Sequence, residues 1–160
     1  MIPRQRVGAV RGSSWNCRAD MPGLVVHGTA VSVEGRGCLI TGASGSGKST
    51  LALEMIAAGA VLVADDQTRI DESPDGLLMS APPTIAGRIE VRGVGVLKLD
   101  TVSAPLTLIV DLDRASMARL PAPRYRHLLD VACPVILGKG RGGLAAIVRL
   151  LLLQGVEASG

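Results

Sequence analysis

Phenylalanine is missing from this 160-residue chain, and Trp15 and Tyr125 are its only aromatic residues. A core must therefore be built from Val, Ile, Leu and Ala, which suits the doubly buried strands of an α/β sheet. The same shortage argues against binding of single-stranded nucleic acid, which stacks bases on aromatic rings. Cysteine is scarce too: Cys17, Cys38 and Cys133 are odd in number and lack metal-ligand spacing. They read as reduced thiols of a cytoplasmic protein, outside any disulfide framework. No apolar run approaches the roughly 18 to 20 residues of a membrane span, and the basic N-terminus lacks the apolar stretch of a secretory signal. The net charge is only +3, and much of the excess comes from Arg4, Arg6, Arg11 and Arg18, which precede the first acid, Asp20. A solvated basic tail accounts for this better than a polyanion site does. Neither nucleic acid nor membrane is expected as a partner. No internal repeat is visible.

Forty-eight per cent of the residues are hydrophobic and the mean hydropathy is +0.38, enough for one domain with a real core. Residues 1–20 carry Gly, Ser and Arg without apolar period and read as a disordered basic lead-in, with Met21 an alternative start. The folded domain is expected over 21–155, with a short tail at 156–160.

The chain is organised around residues 37–58, GCLITGASGSGKSTLALEMIAA. An apolar run (Cys38, Leu39, Ile40) enters a glycine-rich turn that opens into good helix formers. Gly42, Gly47, Lys48 and Ser49 occupy the fixed positions of G-x-x-x-x-G-K-[ST], with Ala43, Ser44, Gly45 and Ser46 between them and Thr50 following. That pattern is a P-loop: backbone N–H groups cradle phosphates, the helix N-terminus adds partial positive charge, Lys48 reaches the terminal phosphates, and the Ser49 hydroxyl meets Mg²⁺. A chance match in a chain of this length arises on the order of once in a few hundred. The flanking strand and helix are the context the motif requires. ATP and Mg²⁺ are the expected cofactors.

Around this centre, Leu24 to Val33 reads as two short strands broken at Gly28, and Glu34-Gly35-Arg36-Gly37 as a hairpin turn. Gly59 is a natural end to the P-loop helix. Val61 to Ala64 is a short strand ending in Asp65-Asp66. Two adjacent acids at a strand end are costly unless something uses them. Thr68–Asp71 and Leu77–Ser80 flank the turn Ser73-Pro74-Asp75-Gly76 and look like a surface hairpin. Gly87 to Lys98 alternates, placing Arg88, Glu90 and Arg92 on one strand face, with Gly93 and Gly95 breaking the period. Leu106 to Leu112 is the most hydrophobic strand and carries Asp111. Residues 114–126 read as a loop or short helix, and 131–136 as a strand that Pro134 places at an edge or a strand start. Residues 138–143, GKGRGG, read as a basic loop, followed by a closing helix over 144–154 stopped by Gly155.

A P-loop needs a further carboxylate for its metal. Asp111 follows an apolar run, as a metal-binding acid of such sites does, yet capping the following turn explains it as well. Asp65 and Asp66 follow the strand that comes directly after the P-loop helix, a connection suited to a neighbour of the nucleotide strand. The residues alone leave this open.

The combination of HGT at 27–29, GASGSGKS at 42–49, LVADD at 62–66 and GRIEVRGVGVL at 87–97 resembles the catalytic domain of HPr kinase/phosphorylase, which phosphorylates a serine of the phosphocarrier HPr. The resemblance spans about residues 24–140. It implies an α/β fold, a mixed twisted sheet around a central P-loop with flanking helices. It further implies that Lys48 and Ser49 bind ATP and Mg²⁺ and that Asp66 is the proton acceptor of the kinase reaction. His27 and Glu90 would complete the site, Glu90 as a second Mg²⁺ ligand, with Asp65 also expected at the metal. Arg119 resembles the family's active-site arginine, although Pro121 stands where the family has glycine. The family's P-V-x-P-G-R-N loop, tied to dephosphorylation by phosphorolysis, is present only in the altered form Pro134-Val135-Ile136-Leu137-Gly138-Lys139-Gly140-Arg141. The family's separate N-terminal domain has no counterpart here, so the chain is expected to be a short form. An HPr-like phosphocarrier and further copies of this chain, in the family a hexamer, are the implied partners. A non-catalytic ATP- or phosphate-sensing module and a P-loop kinase of small molecules are the alternative readings.

Overall fold

The computed structural model describes residues 23–155. The lead-in at 1–20, the start at Met21, Cys17 and the tail at 156–160 lie outside the described residues. The chain runs β1 (Leu24–Val33), β2 (Arg36–Thr41), α1 (Lys48–Ala57), β3 (Val61–Ala64), β4 (Gln67–Ser73), β5 (Gly76–Ser80), β6 (Arg88–Val91), β7 (Gly95–Lys98), β8 (Ala104–Asp111), β9 (Arg124–Leu128), β10 (Val131–Leu137) and α2 (Leu144–Gln154).

Two long strands do double duty. The first half of β1 pairs with β4, while its second half lies between β2 and β3. The start of β8 pairs with β5, and the remainder runs parallel to both β2 and β10. With β4 and β5 joined as a hairpin, strands β1, β4, β5, β8 and β2 close into a ring. Outside it lie β3, next to β1, and β10 with β9, next to β8.

Side-chain alternation along these strands sorts the core into two halves. Val31, Cys38, Ile40, Leu108 and Val110 face α1 and α2, packing with Leu51, Met55, Val148 and Leu152. Their neighbours Ala30, Leu39 and Ile109 face the other way, against Ile70, Leu77 and Met79 of the β4–β5 hairpin. Both faces of β2 from Gly37 and of β8 from Leu108 onward are covered, which is why these stretches read as continuous apolar runs. Each fully buried Leu, Ile or Val contributes about 1.5–3 kcal/mol.

The fold is the expected α/β arrangement, a mixed sheet with a central P-loop strand and flanking helices, and several local expectations change. Gly28 does not break β1; a Cβ there would stand 2.8 Å from the Ile40 carbonyl, so glycine lets β2 approach. The β4–β5 hairpin buries Ile70, Leu77 and Met79 in the core and leaves Gln67, Glu72 and Leu78 exposed with the turn. Residues 87–98 fold back on themselves as the β6–β7 hairpin, with Glu90 opposite Val96. The polar segment before residue 128 ends in a strand, β9. That strand takes the sheet edge, and β10, with Pro134 opposite Tyr125, lies inside it. Pro134 is tolerated because β10 joins β8 only from Val135 onward.

Candidate active site

Strand direction brings the chemistry to one edge. Thr41 of β2, Asp111 of β8 and Leu137 of β10 share a level at the carboxyl ends of three parallel strands. β1 runs the opposite way, so Gly28, opposite Thr41, brings His27 to the same edge. β3 is antiparallel to β1 and therefore ends there as well, delivering Asp65 and Asp66. Carboxyl ends of parallel strands are where α/β sheets hold ligands.

The P-loop is built for an anion. Gly45 and Gly47 have φ of 82° and 101°, conformations that an L side chain adopts only with strain. Gly47 precedes α1 without any side-chain cap, and no acid occupies the first turn, so the unpaired N–H groups of that end remain for a ligand. Lys48 is buried, and its Nζ donates to the Gly42 and Ala43 carbonyls at 2.9 and 3.1 Å. An ammonium has three donors, so one is left for a phosphate oxygen. The Ser46 hydroxyl is buried in the loop without a partner among the described residues. An orphaned hydroxyl, glycine-shaped space and a lysine with one donor to spare fit a nucleotide's phosphates.

The two acids differ in every respect. Asp65 is buried and three times bonded: Oδ1 accepts from Ser49 Oγ at 2.8 Å and Thr29 Oγ1 at 3.0 Å, and Oδ2 accepts from the Glu90 backbone N–H at 3.2 Å. Asp66 turns outward. Its φ is 68°, and Gln67 N–H bonds the Asp65 carbonyl across it at 2.7 Å, a γ-turn of the strained, positive-φ kind. Gly28 N–H holds the Asp66 carbonyl at 2.9 Å. The Asp66 carboxylate lies 3.5 Å from His27 Nε2, and both side chains are more than half exposed, at 64% and 54%. A polar contact so open to water contributes little to stability.

The acid-bearing strand β3 is not the expected neighbour of the P-loop strand β2: β1 lies between them, and β8 with Asp111 is the parallel neighbour. Yet Asp65 is the carboxylate that reaches Ser49. Asp111 is buried, accepting the Asp113 N–H at 2.9 Å and facing Arg126 Nη2 at 3.5 Å, the capping role. The Glu90 side chain is exposed on β6 beside Asp65's partner amide. Arg119 is exposed in the loop between β8 and β9, with no ion pair or hydrogen bond among the described residues. His27, Lys48, Ser49, Asp65, Asp66 and Glu90 are thus gathered at one edge, and Arg119 is not held there.

Two groups escaped the sequence reading. Thr29 is buried and bonded to both acids, and Asp113 accepts the Ala43 N–H of the P-loop at 3.0 Å. A polar Thr flanked by a small, apolar strand interior is a signal for the first; nothing local marks the second. Burial pushes the Cys38 thiol up to about 12, so it is no nucleophile at neutral pH.

A family model described as the HPr Serine kinase C-terminal domain matches residues 21–105. The chain belongs to the HPr serine kinase family. That match takes in the P-loop, the acid pair and the β6–β7 hairpin. The HPr kinase/phosphorylase of Nitrosomonas europaea is 33% identical over 93% of this chain and 54% of its own length. That of Xanthomonas campestris pv. campestris is 37% identical over 74% of this chain and 43% of its own, and that of Geobacillus thermodenitrificans is 42% identical over 58% and 33%. The chain spans about half or less of the length of these relatives. In fold it is similar to the Hpr(Ser) kinase/phosphatase from Coxiella burnetii, with a TM-score of 0.69 at 23% identity, covering 81% of this chain and 88% of that one. Among the described residues no helix is long and apolar enough to cross a membrane.

Proposed function

We propose that this HPr serine kinase family member transfers the γ-phosphoryl group of ATP to a serine hydroxyl of HPr or an HPr-like phosphocarrier. One observation carries the reading: a buried carboxylate, Asp65, holds the P-loop Ser49 at 2.8 Å, and the next residue presents an exposed carboxylate beside His27. A cradle for phosphates and a proton acceptor therefore stand one residue apart.

Phosphoryl transfer runs through a loose transition state in which positioning and charge neutralisation supply most of the catalysis. Loop amides and the remaining Lys48 donor hold the β- and γ-phosphates. Ser49, with its proton committed to Asp65, has its lone pairs free for Mg²⁺, and Glu90 and Asp65 are the carboxylates beside it. When bound, Mg²⁺ supplies charge neutralisation on the phosphate oxygens. Asp66 accepts the serine proton as the serine O–P bond forms and the bond from γ-phosphorus to the bridging oxygen breaks, releasing ADP. His27 orients Asp66. Arg119 is a cation available to the acceptor or the transferred group.

Apolar side chains on the β6–β7 hairpin, Val94 at 75% and Val96 at 60% exposure, favour assembly with further copies of the chain. A cytoplasmic setting follows from the use of ATP. The test is incubation of purified protein with γ-labelled ATP, Mg²⁺ and HPr. Label on an HPr serine is the expected result. ATP binding without transfer would make the chain a sensor, and label on a metabolite would make it a small-molecule kinase.

A further inference from the structure

Thr29 sits on β1 two residues beyond His27 and has no solvent exposure. A hydroxyl offers one donor and two acceptor sites, and this one is used in both directions. It donates to Asp65 Oδ1 at 3.0 Å and accepts the Asp66 N–H at 3.2 Å. No other described side chain bonds to both acids. The two bonds divide the site's labour: through Asp65 the hydroxyl reaches Ser49 and the Glu90 amide, and through the Asp66 amide it reaches a residue in a left-handed conformation.

We infer that Thr29 is a positioning residue that locks the outward-facing Asp66 to the metal-side carboxylate Asp65, fixing the proton acceptor relative to the phosphate cradle. This rests on the kinase reading for Asp66. A left-handed backbone is disfavoured for an L-residue, so the bonds that flank Asp66 hold it there. Two of them, the Gly28 N–H to its carbonyl and the Gln67 N–H across it, are backbone bonds that any sequence supplies. The third needs a hydroxyl at position 29. Valine would fill the same space in a strand and leave the Asp66 N–H and one Asp65 lone pair without a partner. The Lys48 contacts and the loop amides would stay in place, because none of them involves Thr29, and Ser49 would keep its own bond to Asp65.

The test compares Thr29→Val and Thr29→Ser with the unsubstituted protein, with Thr29→Ala in place of the valine variant if that one does not fold. Two readouts are taken: kinetic constants for transfer from ATP, and hydrogen exchange of the Asp66 amide. Misplacing a reacting group by about 1 Å costs roughly a hundredfold, so Thr29→Val is expected to lower kcat ten- to a hundredfold, with KM for ATP within about twofold. Its Asp66 amide exchanges at least about tenfold faster. Thr29→Ser restores both to within about threefold. A valine variant with unchanged kcat or unchanged Asp66 exchange overturns the inference, as does a serine variant that restores neither. If the unsubstituted protein transfers nothing, the kinase reading fails by itself, and the exchange comparison still decides the role of Thr29.

Discussion

Two strand–glycine loop–helix units among the described residues flank β8 on either side, and only one of them carries a buried lysine and a carboxylate contact at its helix start. β2 leads through residues 42–47 into α1, and β10 leads through residues 138–143 into α2; both strands run parallel to β8. Each helix is preceded by a left-handed glycine, Gly47 at φ 101° or Gly143 at φ 69°, and has neither a side-chain cap nor an acid in its first turn. Backbone geometry and helix dipole are therefore nearly shared. The difference lies in what surrounds them. In the first unit Lys48 is buried against its own loop and Ser49 meets Asp65. In the second, Lys139 and Arg141 are exposed and α2 begins with Leu144. A glycine loop before a helix is common architecture. A buried lysine and a carboxylate arriving from another strand are what set the first unit apart.

The comparison can be broken most forcefully at the acids. Asp66→Asn should reduce transfer about 10²- to 10⁴-fold, the usual contribution of a general base, while ATP affinity stays within about threefold. Asp111→Asn, at the strand shared by both units, should leave transfer within about threefold; single-turnover assays of the two variants decide between them. Next come the lysines. Removing Lys48 deletes charge-assisted hydrogen bonds worth roughly 1.5–3 kcal/mol, so Lys48→Ala should weaken ATP binding ten- to a hundredfold by calorimetry. Lys139→Ala should change it less than about twofold.

Smaller effects are expected at the glycines. Nothing lies within 4 Å of a Cβ at Gly47 or Gly143, so alanine at either pays only for the left-handed backbone, roughly 1–2 kcal/mol. Both variants should melt about 2–8 °C lower, but only Gly47→Ala should also lose nucleotide affinity. The least effect concerns the strand behind the P-loop. Burial raises the Cys38 thiol to about 12, and Cys133 of β10 is raised by the same cause. The unfolded chain ionises its thiols near their ordinary value of about 8.5. Between that value and the folded one the unfolded state binds fewer protons, so stability is intact below about pH 8.5 and falls as pH rises. Urea denaturation at pH 8 and pH 10 should show a smaller alkaline loss for Cys38→Ala than for the natural sequence.

Much of the first unit was legible because its signals are local. Gly42 to Ser49 name the loop, Cys38 to Ile40 the strand before it, and Glu34-Gly35 the hairpin, which takes positive φ at both central residues. The closing helix was legible at both ends, from Leu144 to Gln154. β9 was not, because Arg124, Tyr125 and Arg126 at an exposed edge carry the charges that edges favour and no apolar period. The ring escaped because β1 and β8 each serve two partners, which no period encodes. The same limit hid Thr29 from Asp65, 36 residues away, and Asp113 from Ala43, 70 residues away. His27 and Asp66 came together only through the family resemblance, and the pairing of β1 with β3 and β4 supplies the physical reason.

The most direct measurement is a crystal structure with a non-hydrolysable ATP analogue and Mg²⁺ bound. An attacking oxygen stands about 3–3.5 Å from phosphorus and within about 2.6–3.2 Å of its base. The Asp66 carboxylate should therefore lie about 6 Å or less from the γ-phosphorus, with the triphosphate on the Gly42–Ser49 loop. A γ-phosphate that instead faces Asp111 or the 138–143 loop, with Asp66 turned away, would contradict the assignment.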